Sequence, residues 1–191
     1  LRNLYGLLSS DSRNEHRLRA LWAIYISGGW NDRIYEMAKK DHYPYIRGWA
    51  IQLQTQGNKP ISRNQMVQLE NMAKSEKSPV VRLYIASALQ RIDSDKRWKI
   101  AENLMQHAED ADDHNIPKMI WFGIEEMVAE SPQRGLRLAM QSKIPLLQNF
   151  ISRRILDAGD LDHYLLALYS AARKKSPATH QILAGGLDGM S

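Results

Sequence analysis

The sequence predicts an all-α fold, and three observations carry that reading. Apolar residues recur at helical spacing along the whole chain. Proline and glycine punctuate those runs where helices would begin and end. No segment alternates apolar and polar residues with the two-residue period of a strand. Val81, Ile85, Ala88, Leu89 and Ile92 fall on one helical face. So do Leu147, Ile151, Ile155 and Ala158, and again Leu161, Tyr164, Leu165, Leu168 and Ala172. The spacing predicts twelve short helices: 1–9, 13–27, 31–40, 43–56, 62–75, 78–92, 94–108, 116–130, 132–142, 144–158, 160–174 and 177–189.

The boundaries have their own chemistry. Ser78-Pro79, Ser131-Pro132 and Ser176-Pro177 each set a capping hydroxyl before a proline, whose missing N–H costs nothing in a first helical turn. Gly28-Gly29, Gly57 and Gly159 follow periodic runs, as glycines that end helices in the left-handed conformation do. Asn115 and Pro117 predict the start of helix 116–130 in the same way.

Composition narrows the function classes. The 191 residues are 43% hydrophobic and 25% charged and contain no cysteine. That balance argues against disorder, collagen and membrane spans. Without cysteine there is no disulfide scaffold, thiolate zinc site, cysteine nucleophile or CxxCH haem attachment in these residues. The pI near 9.4 suggests anionic partners, but the charge is uneven. Residues 1–100 carry 17 basic and 9 acidic groups, residues 101–130 carry 1 and 8, and residues 131–191 carry 8 and 4. The acidic middle interrupts any basic track, which counts against nucleic acid. Leu1 in place of an initiator Met, with no leader after it, reads as a segment of a longer polypeptide.

A repeat organises the helices. Residues 19–23 read Arg-Ala-Leu-Trp-Ala, residues 46–50 Ile-Arg-Gly-Trp-Ala, and residues 81–86 Val-Arg-Leu-Tyr-Ile-Ala. Arg19, Arg47 and Arg82 are thus placed as equivalent structural residues, with Asp41 in the turn before the second block. A turn bearing Asp or Pro, then Val-Arg, then Ala resembles the signature of HEAT repeats. That resemblance implies a right-handed α-α superhelix of HEAT/armadillo type, in which helix pairs stack because none can bury its apolar face alone. The units expected are 1–29, 30–57, 62–92, 94–130, 131–158 and 160–189, forming one domain over 1–191. Each repeated arginine is expected to reach an Asp of its own or an adjacent unit.

Residues 79–92 (PVVRLYIASALQRI) and 97–128 (RWKIAENLMQHAEDADDHNIPKMIWFGIEEMV) carry a more specific likeness. They resemble the central region of a bacterial family, the membrane-bound-dehydrogenase-like or PVC-type haem-binding CxxCH proteins. Residues 17–29 and 142–155 are similar to an earlier and a later repeat of the same family. The resemblance implies an exported, periplasmic parent in which a helical-repeat region joins a dehydrogenase-like β-propeller and a cytochrome c-type domain. The haem c of such a parent would lie outside these cysteine-free residues. No catalytic, cofactor-binding or redox residue carries over, so these residues are expected to be a non-catalytic scaffold. Their partners would be other domains of the polypeptide or another protein.

Chemistry-bearing candidates are few. The loop Glu109, Asp110, Asp112, Asp113 offers hard oxygen donors for Ca²⁺, but lacks the EF-hand spacing and its glycine. It equally suits a helix N-terminus, where acidic charge meets the positive end of the dipole. His107 flanks this loop, and Trp121 with Glu125 lies on the next helix. We take His107, Asp112, Asp113, Trp121 and Glu125 as the candidate interaction surface. Glu125 and Glu126 point about 100° apart on a helix and cannot act as a glycosidase pair. There is no nucleophile elbow or phosphate loop. The alternative is a basic HEAT-like DNA-binding protein of the alkylpurine DNA glycosylase type, whose concave-face aromatics cradle a nucleotide. Trp22, Trp49 and Tyr84, at equivalent repeat positions, read more simply as packing between units.

Overall fold

A computed structural model describes residues 1–57, 61–159, 161–173 and 178–190. It holds twelve α-helices: α1 (Arg2–Ser10), α2 (Asn14–Ile26), α3 (Asp32–Ala38), α4 (Pro44–Thr55), α5 (Arg63–Ser75), α6 (Pro79–Ala88), α7 (Trp98–Leu104), α8 (Ile116–Glu130), α9 (Pro132–Gln141), α10 (Pro145–Asp157), α11 (Leu161–Arg173) and α12 (Thr179–Met190). No strand occurs among the described residues.

Local chemistry sets most boundaries. Proline sits in the first turn of α4, α6, α8, α9 and α10. Asn31 caps α3 by accepting from Ile34 N–H at 3.1 Å, and Ser62 and Gln65 form a reciprocal capping box on α5. Gly28, Gly57 and Gly159 have φ of 73°, 95° and 79°, the left-handed region in which a side chain would be strained.

Three expectations are corrected. Ser78 and Ser131 occupy the N-cap positions of α6 and α9, but their hydroxyls make no cap bond. Glu76 instead takes the Ser78 N–H, at 2.9 Å. Asn115 does not cap α8 either, because the Asp113 carboxylate accepts from the N–H groups of Asn115 and Ile116, both at 2.8 Å. The helix expected over 94–108 is only α7, flanked by 3₁₀ turns at Ser94–Lys96 and Ala108–Asp110. There the chain tightens to carry Asp110 inward to a buried partner. The Ser176-Pro177 start lies outside the described residues.

The helices pack in two rows. From α2 to α12, each even-numbered helix packs against the next even-numbered one. The odd-numbered helices pair with their even-numbered successors, and α5 packs on α7 and α9 on α11. Two apolar clusters result, one built on α1–α4 around Leu21, Ile24 and Ile46, the other running from Ile51 to Ile182. They meet at α4. Glycine permits the closest approaches: a Cβ on Gly48 would collide with the Tyr84 ring, and one on Gly123 with Leu89.

Candidate functional site

Two features of this architecture bear on function: a ladder of hydrogen bonds through the turns that precede the even-numbered helices, and a groove between α8 and α10. The ladder begins with carboxylates that fold the turns. A side-chain oxygen accepts from the backbone N–H two residues on in five successive turns: Asp11 from Arg13, Asp41 from Tyr43, Glu76 from Ser78, Asp113 from Asn115 and Ser142 from Ile144. Such side chains replace a missing turn of backbone bonding and fix where the next helix starts.

The fourth residue of α2, α4 and α6 is an arginine that threads these turns together. Arg17 pairs with Asp41. Arg47 donates to the two Glu76 oxygens at 3.1 and 2.7 Å and to the Asp41 carbonyl at 2.9 Å. Arg82 donates to both Asp110 oxygens at 2.6 and 2.5 Å and to the Glu76 carbonyl at 2.9 Å. Arg47 and Arg82 thus each satisfy a carbonyl of their own turn and bridge to a carboxylate of the next, the bidentate geometry that suits a guanidinium fork. Arg82 and Asp110 are only 2% and 1% exposed. The bond to Asp110 raises the Arg82 pKa against the opposing effect of burial. Burial works against ionisation of Glu76 too, but the bonds from Arg47 and Ser78 outweigh it and the Glu76 pKa is lowered.

Arg19 is not part of this ladder. It is exposed, whereas Arg17, two residues earlier, is buried and also donates to the Leu8 carbonyl at 3.0 Å. The register is set by distance from the turn, and Arg17 stands six residues after Asp11 as Arg47 does after Asp41 and Arg82 after Glu76. Two residues of helix turn a side chain by about 200°, so Arg19 faces the wrong way.

The acidic loop spends its carboxylates on separate tasks. Asp110 holds Arg82, Asp113 folds the turn before α8, and Glu109 lies 3.6 Å from Arg82 and 3.1 Å from His107. The Asp113 pKa is lowered by the N–H groups of Ile116 and Asn115 that it accepts from. Asp112 is exposed. Among the described residues no three His, Asp or Glu side chains gather in a metal-binding geometry. His107 Nε2 donates to the Ala73 carbonyl at 2.8 Å, tying the loop to α5.

Trp121 and Glu125 belong elsewhere, to a groove of about 430 Å³ between α8 and α10 that they line with Phe150, Arg153, Arg154 and Asp157. Trp121 and Phe150 pack ring against ring at a tilt of 54°, with centroids 5.4 Å apart. An adjoining hollow adds Phe122, Glu126 and Glu130. Phe122 is 51% exposed. Glu125, Glu126, Glu130, Arg153, Arg154 and Asp157 make no ion pair among the described residues. None of His107, Asp112 and Asp113 lines this groove, so the expected interaction surface divides in two. Phe150, Arg153, Arg154 and Asp157 are the residues that sequence reasoning passed over. Their signal is the helical spacing that puts them on one face of α10.

No family model matches the chain, and no curated protein or solved structure matches it. Trp22, Trp49 and Tyr84 pack between neighbouring even-numbered helices. Trp22 meets Trp49 edge-on at 5.0 Å, and Trp49 meets Tyr84 at 6.0 Å. Among the described residues, no helix is long and apolar enough to cross a membrane.

Proposed function

We propose that these residues form a non-catalytic scaffold, a right-handed superhelix of HEAT-type helix pairs that docks a protein surface in the α8–α10 groove. The groove carries the reading. Its aromatic floor and six ionisable side chains without an ion pair among the described residues match what protein interfaces use, a desolvated aromatic centre with a charged rim. The glutamates at 125, 126 and 130 would repel a phosphate backbone, so the occupant is protein rather than DNA. The even-numbered row and its ladder supply the stiffness that a spacer needs. By the likeness of residues 79–92 and 97–128 to the dehydrogenase-like family, the occupant is a neighbouring domain of an exported polypeptide. The propeller and the haem c-bearing domain of that parent are the first candidates.

Photo-crosslinking tests this. A photoreactive residue at position 122 in the intact polypeptide is expected to join to another domain or to one discrete protein. The same probe at exposed Arg63 on α5 should not. Equal labelling from both positions, or none from position 122, would remove the proposal.

A further inference from the structure

A second groove lies between α7 and α9, on the odd-numbered row, and we propose that it binds a phosphate monoester. The cavity is about 260 Å³ and is lined by Trp98, Lys99, Glu102, Arg134, Arg137, Leu138 and Gln141. Arg134 lays its guanidinium over the Trp98 ring, 4.4 Å from the centroid. Cation–π stacking of this kind holds the planar fork in place while leaving its N–H edges open. Arg137 stands one turn further along α9, and residues so spaced have Cβ atoms about 5–6 Å apart on one face. Both forks can therefore reach a single oxyanion.

Neither arginine has a side-chain hydrogen bond or ion pair among the described residues. Arg17, Arg47, Arg82, Arg91 and Arg97, by contrast, all donate to oxygens of the chain. Lys99 and Glu102 pair with each other at 3.0 Å, which leaves the lining with two uncommitted positive charges. That balance matches a phosphate dianion better than a singly charged carboxylate, and guanidinium forks suit its oxygens. Buried Leu138 and the covered Trp98 ring give the wall an apolar part for the carrier of the phosphate. The phosphate can belong to a phosphoserine side chain or to a small phosphorylated molecule, which share this chemistry.

The test is an NMR titration of the arginine Nε–H signals with inorganic phosphate at low ionic strength. Saturable shifts at Arg134 and Arg137 are expected. Arg137→Gln, at an exposed position that folding does not need, should weaken binding at least about tenfold. Arg33→Gln on α3, outside the groove, should leave it unchanged. A phosphoserine peptide and glycerol 3-phosphate then separate the two sources. Tighter binding of the peptide marks a phosphoprotein, and equal binding a small ester. Shifts that rise without saturating, an equal response to acetate, or equal weakening by Arg33→Gln would overturn the assignment.

Discussion

The turns before α4 and α6 and those before α8 and α10 solve one problem in different ways. In three of them a carbonyl takes its hydrogen bond from the fourth residue of the helix that follows. In the first pair that residue is Arg47 or Arg82, which meets the carbonyl and also reaches a carboxylate in the following turn. In α10 it is Gln148, which donates to the Ser142 carbonyl at 2.7 Å and reaches no further. In α8 the fourth residue is Met119, six residues after Asp113, an apolar side chain packed partly buried against the core. Satisfying the turn and coupling neighbouring turns are thus separable jobs. The first half of the chain does both with one side chain, while the second half relies on apolar packing for cohesion.

Arg82→Met should show this most strongly. It would leave Asp110 buried with no counter-charge, a situation that typically costs about 3–5 kcal/mol. Urea denaturation should register that loss, and adding Asp110→Leu should recover most of it, because the uncompensated charge is then gone. A loss below about 1 kcal/mol, against the expected range, would mean that Asp110 finds solvent when Arg82 is removed.

Gln148→Met should cost less. It strips the Ser142 carbonyl of a donor without stranding a charge, so a loss of about 1–3 kcal/mol is expected. The two-turn logic also predicts that the loss stays local. Hydrogen exchange should rise in the turn before α10 and remain unchanged at Asp41 and Glu76. For Arg82→Met, exchange should rise both at its own turn and at Ala108–Asp110. Identical spread for the two variants would erase the distinction between satisfied turns and coupled ones.

How much of this the sequence discloses depends on range. The twelve helices are legible because Ser-Pro, Pro and Gly mark their ends locally. Arg47 and Arg82 are legible because each sits between an apolar residue and an aromatic in a repeated block. Arg17 is not, since the local match of Arg19-Ala-Leu-Trp-Ala is better than its own, and only the distance from the Asp11 turn reveals the register. In the acidic loop, four neighbouring carboxylates look alike. Which one goes inward depends on Arg82, 28 residues away. The α10 half of the groove is hidden for the same reason: nothing near Phe150 or Arg154 says that α8 will lie alongside.

Acid is the gentlest way to compare the two halves. Glu76 has a folded-state pKa below its ordinary 4.5, so the folded protein binds fewer protons there than the unfolded chain does. Its contribution is complete at neutral pH, begins to fade as pH falls toward 4.5, and is gone once pH drops below the folded value. Asp113 follows the same course from 3.8, through the turn before α8. Melting temperatures measured from pH 7 downward should therefore hold steady and then fall in the acid range. Glu76→Gln should lower the neutral plateau and flatten the upper part of that fall, because it removes the proton uptake, while Gln148→Met should leave its slope unchanged, since a neutral amide has no proton to gain. If Gln148→Met flattens the profile as much as Glu76→Gln, the acid sensitivity does not come from the coupled turns.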